Sequence, residues 1–180
     1  SLDLPNTTFI KNYRDNNFDA ENHGAGYQDP GTLYFNGIDN FLLKQNPSTQ
    51  IPASFSINFW LNADDVVQRS TIFNIQGFLE VYLENSQLFI GLNNNDPLFA
   101  AKDEIKAATW TNFTITSDGI WLRVYINGLL KEEFELNNQI NPNNNAIFIG
   151  SYDGFSSFYK GLLDEFYLFN IPLETHNIMK

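Results

Sequence analysis

Residues Trp110–Leu136 read WTNFTITSDGIWLRVYINGLLKEEFEL, and this stretch decides the fold. Thr111, Phe113 and Ile115 alternate with polar residues, and Ser117-Asp118-Gly119 turns the chain. Leu122, Val124 and Ile126 then alternate with Trp121, Arg123 and Tyr125 before Asn127-Gly128 turns it again. Asn-Gly between alternating apolar runs is a strong hairpin signal, because a type I′ turn needs positive φ at both central residues. The stretch therefore predicts three consecutive antiparallel strands with one face buried. The use of the other face is the functional question.

Working outward, the same period of two recurs. Phe55–Leu61 (FSINFWL) sends Phe55, Ile57, Phe59 and Leu61 one way and Ser56, Asn58 and Trp60 the other. Gly31–Phe35, Phe41–Lys44, Ser70–Ile75, Phe78–Glu84, Gln87–Leu92, Ala146–Gly150 and Leu162–Phe169 are further strand candidates, separated by Gly, Pro, Asn and Ser. Residues 1–30 read as polar loops with one short strand over Thr8–Ile10, Asn93–Pro97 and Asn137–Asn145 as loops, and Lys102–Ala108 as a short strand or helical turn. Ile171-Pro172-Leu173 leads into a terminal turn of helix. Many short strands with hairpin turns predict an all-β, two-sheet antiparallel sandwich or jelly roll, and 180 residues suit a single domain spanning 1–180.

Composition narrows the function classes. The formal net charge is −11, with 10 Lys and Arg against 21 Asp and Glu. Such a chain lacks the basic footprint that phosphate contacts need, which argues against nucleic acid and against anionic membrane surfaces. The absence of Cys excludes disulfides, thiolate zinc sites and a Cys nucleophile. No run of about 18 apolar residues predicts a membrane span. The chain opens at Ser1 rather than Met, the start expected of a domain cut from a larger multidomain protein.

Several blocks come in a telling order: NHGAG at 22–26, LYFNGIDNF at 33–41, FSINFWL at 55–61, WTNFTITSDG at 110–119, LRVYINGLL at 122–130, IFIGS at 147–151 and GLLDEFYLFNIPL at 161–173. Together they resemble the laminin-G-like group of the concanavalin A-like jelly rolls, over roughly residues 15–178. The resemblance implies a jelly roll with a concave face. It is less specific for function, since that group includes sugar-binding modules, adhesion domains and, more distantly, glycoside hydrolases and lyases.

By alternation the face opposite the core carries Asn58, Trp60, Glu80, Tyr82, Trp121, Arg123, Tyr125, Glu165 and Tyr167. Rings that stack on apolar sugar faces, beside amides and charges that bond hydroxyls, make a carbohydrate platform. Half-buried β-forming aromatics under covering loops are the plainer account of the same residues. The resemblance also implies a structural Ca²⁺ at Asp164, with a main-chain carbonyl near Gly37 and another from the N-terminal segment; Asp39, Asn40 and Asp15 are secondary candidates. Calcium takes six to eight oxygens, so one fixed carboxylate can suffice.

Glu80 and Glu84 in EVYLE resemble the E-x-D-x-E strand of a glycosidase family with this jelly roll. Here Tyr82 stands at the central acid, and on a flat strand the two Cα atoms lie roughly 13 Å apart, against carboxyls about 5 Å apart in retaining pairs. His23 and His176 follow no nucleophile motif. The 25 Asn cluster in loops, where they can bond glycans or a protein partner or simply solvate the loop.

The sequence thus predicts a non-catalytic recognition module of a secreted or cell-surface protein, meeting glycan at the concave face or the loop rim. The alternative is a protein-contact or spacer domain. A glycan platform requires Trp60, Tyr82, Trp121 and Tyr125 accessible in one groove. A spacer predicts that groove filled by loops such as 93–109, and an enzyme predicts converging carboxyls.

Overall fold

The computed structural model describes residues 20–28, 31–45, 51–93, 98–101, 105–136 and 146–178. The strands are β1 (Glu21–His23), β2 (Gly26–Tyr27), β3 (Leu33–Asn36), β4 (Phe41–Lys44), β5 (Ser54–Ala63), β6 (Ser70–Ile75) and β7 (Leu79–Glu84). They continue with β8 (Gln87–Leu92), β9 (Leu98–Ala101), β10 (Thr111–Asp118), β11 (Trp121–Ile126), β12 (Leu129–Glu135), β13 (Ile147–Ile149) and β14 (Lys160–Phe169), and one helical turn, α1 (Thr175–Ile178), follows. They form two seven-stranded antiparallel sheets. The first runs β12-β11-β10-β5-β14-β3-β2 and the second β1-β4-β13-β6-β7-β8-β9.

The meander of residues 110–136 forms as its pattern dictates. Phe113 pairs with Ile126, Ile115 with Val124 and Ser117 with Leu122, so the apolar residues of β10 and β11 share the inward face. Asn127 and Gly128 sit at φ 49° and 78°, as the tight turn requires. Asp118 closes the other turn by accepting the amides of Ile120 (2.9 Å) and Trp121 (2.7 Å).

Phe59 of β5 stacks on Phe113 and Phe166, while Phe73 of β6 meets Phe59 and Phe166 edge-on at 5.8 and 5.3 Å between centroids. This knot of rings joins the sheets. It gives a place to the 17 Phe that lead the aromatic residues: rings fill the layer between sheets with large area and few rotatable bonds.

β14 departs from strict alternation. Leu163 and Phe166 are both buried in the core, though three residues apart. A bulge between Asp164 and Tyr167 absorbs the extra residue, with Glu165 at φ 49°.

Three details differ from the sequence expectation. Residues 98–101 form β9, an edge strand with no β-branched residue to announce it. Within the predicted element 102–108, Ala107-Ala108 is a turn. Glu21–His23 and Gly26–Tyr27 pair as short edge strands where loops were expected. The strand over Thr8–Ile10, Asp15 and the Asn-rich loop 137–145 lie outside the described residues.

Candidate functional site

The nine predicted platform residues do not share one face. Asn58 and Trp60 on β5, Trp121, Arg123 and Tyr125 on β11, and Glu165 and Tyr167 on β14 belong to the first sheet, whereas Glu80 and Tyr82 on β7 belong to the second. Alternation gives each strand an inside and an outside, but two sheets packed face to face have two outsides, which point apart.

On the first sheet the register draws two outward rows. Tyr125, Thr114, Asn58 and Tyr167 form one; Asn112, Trp60 and Asp164 form the next. The first row satisfies its polar groups internally. Asn58 Nδ2 donates to Thr114 Oγ1 (2.8 Å) and the Phe113 carbonyl (3.2 Å). The row is also covered. Ser56, outward on β5 and 0% exposed, donates from Oγ to the Ile171 carbonyl (2.9 Å) and accepts the Leu173 amide (2.6 Å). Pro172 between them has no N–H, so one hydroxyl ties down both flanking groups. Tyr125 is 3% exposed, its hydroxyl 3.3 Å from Thr175 Oγ1. A segment at the C-terminal end therefore lies over this face. Trp60, Tyr167, Trp121 and Glu165 are half-buried.

Arg123 is committed to structure. Its guanidinium donates to Asp118 Oδ2 (2.8 Å) and to Glu133 Oε2, joining β11 to the preceding turn and to β12. The Asp118 hydrogen bond raises the already high pKa of Arg123. Burial alone would raise the Asp118 carboxyl, but hydrogen bonds from the Trp121 amide and Arg123 hold it below the usual carboxylate range.

On the second sheet Tyr82 is 4% exposed, stacked on Phe89 of β8 (5.0 Å, 11°) and covered by the Arg69 guanidinium 3.8 Å from its ring centroid. Burial raises the Tyr82 pKa, with Arg69 opposing. Glu80 accepts from Arg69 at both oxygens (3.1 and 3.0 Å) and from Thr71 Oγ1 (2.8 Å). Glu80 is thus an ion-pair partner on the outside of the second sheet. Arg69 and Phe89 were not singled out from sequence, since cross-strand neighbours are invisible along one strand.

The predicted calcium set is also split. Asp164 Oδ2 accepts from Thr32 Oγ1 (2.9 Å) and Oδ1 from the Glu165 amide (2.7 Å). Gly37 follows Asn36, which pairs with Lys160, four residues before Asp164. At about 3.3 Å per residue that places the Gly37 main chain roughly 13 Å along the strand. Asp39 sits in the β3–β4 turn, accepting from Asn36 Nδ2 (2.7 Å). Asp164 and Gly37 do not fit one coordination shell, and no group of three or more His, Asp or Glu that could hold a metal occurs among the described residues.

One feature of the rim stands out. The loop 151–158, between β13 and β14, is braced from within: Asp153 Oδ1 accepts the amides of Phe155 (2.9 Å) and Ser156 (2.8 Å) and the Ser156 hydroxyl (2.9 Å), and Ser151 Oγ accepts the Gly154 amide (3.0 Å). It is also anchored from below, by Asn74 Nδ2 on the Tyr152 carbonyl (2.6 Å) and the Thr71 amide on the Ser157 carbonyl (2.8 Å). Gly154, at φ 82°, sits in the left-handed region that favours glycine, with the Phe41 ring 3.0 Å from where a Cβ would stand. The tip carries Phe155, 90% exposed, beside Tyr152 at 37%. The sequence signal was present in SYDGFSS: an Asp-Gly turn followed by a lone ring among serines.

The family model Laminin_G_3, described as the concanavalin A-like lectin/glucanases superfamily, matches residues 35–179. Among solved structures, the chain is similar to the binding domain of botulinum neurotoxin serotype D, at 16% identity and a TM-score of 0.72, over 89% of this chain and 45% of that one. It is similar to the binding domain of paraclostridial mosquitocidal protein 1, at 17% identity and 0.70, over 89% and 44%. A third is the serotype D ligand binding domain in complex with N-acetylneuraminic acid, at 16% identity and 0.68, over 93% and 44%. The chain spans a little under half the length of each, and at these identities the likeness is one of fold. No curated protein matches by sequence. With a family model matched over most of its length and two antiparallel sheets to bear it out, the chain belongs to the concanavalin A-like lectin/glucanases superfamily.

Proposed function

We propose that the chain is a non-catalytic recognition module of a secreted or cell-surface protein, and that it meets carbohydrate at its loop rim rather than on a sheet face. The observation that carries this reading is Phe155, a ring left in water at the tip of a loop fixed by hydrogen bonds on both sides. Scattered exposed apolar side chains are ordinary. This one differs in that the backbone carrying it is held in place, so little loop entropy is lost when a sugar face stacks on it. The binding-domain character of the structural neighbours supports the reading, as does the engagement of Glu80 by Arg69, which leaves EVYLE without a free carboxylate pair.

The test is a glycan array probed with wild-type protein and Phe155→Ala. Binding that disappears in the variant while the circular dichroism spectrum is kept is the expected result. Binding that survives, or no glycan bound by the wild type, sinks the reading. A spacer or protein-contact domain then takes its place, an alternative favoured by the covered, self-satisfied outer face of the first sheet.

A further inference from the structure

Resting on that reading, we infer that the rim site takes a neutral saccharide and discriminates against carboxylated sugars. The charges around Phe155 point that way. The loop 151–158 contains one charged residue, Asp153, and no Lys or Arg. The three hydrogen bonds that Asp153 accepts among the described residues fall on Oδ1, which leaves Oδ2 to accept from a ligand hydroxyl.

The elements beneath offer an anion nothing better. The loop rests on Phe41 and Phe148, and Phe41 is stacked in turn by His23, whose Nε2 lies 3.5 Å from Glu21. Arg69, preceding β6, is clamped bidentately by Glu80. Lys160, at the start of β14, lays its methylenes against Gly37 in the β3–β4 turn. A carboxylate-bearing sugar stacked on Phe155 meets the Asp153 charge with no built cation among the described residues of these elements to offset it, on a chain of net charge −11. A neutral pyranose supplies what the site can use, an apolar face for the ring and hydroxyl donors for Oδ2.

The experiment compares matched immobilised glycans, neutral and capped with a carboxylated sugar, against wild type, Asp153→Asn and Phe155→Ala at low and high salt. Asparagine keeps a side-chain oxygen for the three loop bonds and removes the charge, so the loop is retained. Wild type is expected to favour the neutral member about threefold to tenfold at low salt, with the ratio shrinking at high salt. Asp153→Asn is expected to bring the ratio close to one. Phe155-dependent preference for the carboxylated member, or an unchanged ratio in Asp153→Asn, overturns the inference and leaves the rim site standing. Loss of all Phe155-dependent glycan binding removes the rim site and the inference together.

Discussion

The two outer faces of the sandwich are closed in opposite ways. The first sheet is closed from a distance: a segment more than a hundred residues along the chain comes back over β5, and Ser56 grips it on both sides of Pro172. The second sheet is closed locally, by side chains on neighbouring strands, with Arg69 over Tyr82 and Tyr82 on Phe89. Each leaves one ring that alternation points outward, Tyr125 and Tyr82 respectively, almost without solvent contact. An outward-pointing residue and a reachable one are different things, and recognition needs the second.

The sharpest break of this comparison is Tyr82→Ala. Removing the ring takes away a buried stack and the surface over which Arg69 holds Glu80, so a loss of about 3 kcal/mol in urea unfolding is expected, with Phe155-dependent glycan binding unchanged. A loss below about 1 kcal/mol would show that the second face is dressed with rings rather than closed by them. Ser56→Ala comes next. It leaves the Leu173 amide and the Ile171 carbonyl without their partner, at about 1–3 kcal/mol, and hydrogen exchange should quicken over 171–178 ahead of the core. Equal protection in wild type and variant would mean the covering segment is held by other contacts.

The smallest effect is electrostatic. Asp118 binds fewer protons folded than unfolded, so its contribution is present above the ordinary carboxyl pKa of about 4 and is lost as pH falls through its lowered folded value. Because Asp118 and Arg123 are partly open to solvent, it is worth less than about 1 kcal/mol. Arg123→Ala should accordingly lower stability slightly at pH 7, with the gap from wild type narrowing below pH 4. A gap that does not change with pH would assign the arginine a packing role only.

What the sequence made legible follows from range. Asn127-Gly128, the Asp118 turn and the inward set of β5 depend on residues within a few positions of one another, and each formed as read. The resemblance carried by blocks from 22 to 173 extended this to the whole architecture. Strand β9 escaped because Leu98-Phe99-Ala100-Ala101 carries neither alternation nor branching. The site was harder, for two reasons. The assignment of β7 to the other sheet depends on pairing, which alternation does not encode, and this sent Glu80 and Tyr82 away from Trp60. The closure over Tyr125 depends on Thr175, fifty residues distant. Asp164 and Gly37 likewise looked compatible until the β3–β14 register set them at opposite ends of a strand pair.

The bulge in β14 means that backbone shape, as well as sequence, decides which side a residue takes there. A strand is read in two alternating frames, inside and outside, and β14 changes frame at Glu165. Upstream of the shift, odd-numbered Leu163 faces the core; downstream, even-numbered Phe166 and Leu168 do. Glu165, at φ 49°, is the extra residue the bulge takes up, and its backbone makes the change of frame. Were the strand to run straight through Glu165 with no bulge, the two halves would share one frame, and either Phe166 and Leu168 or Leu163 would have to leave the core.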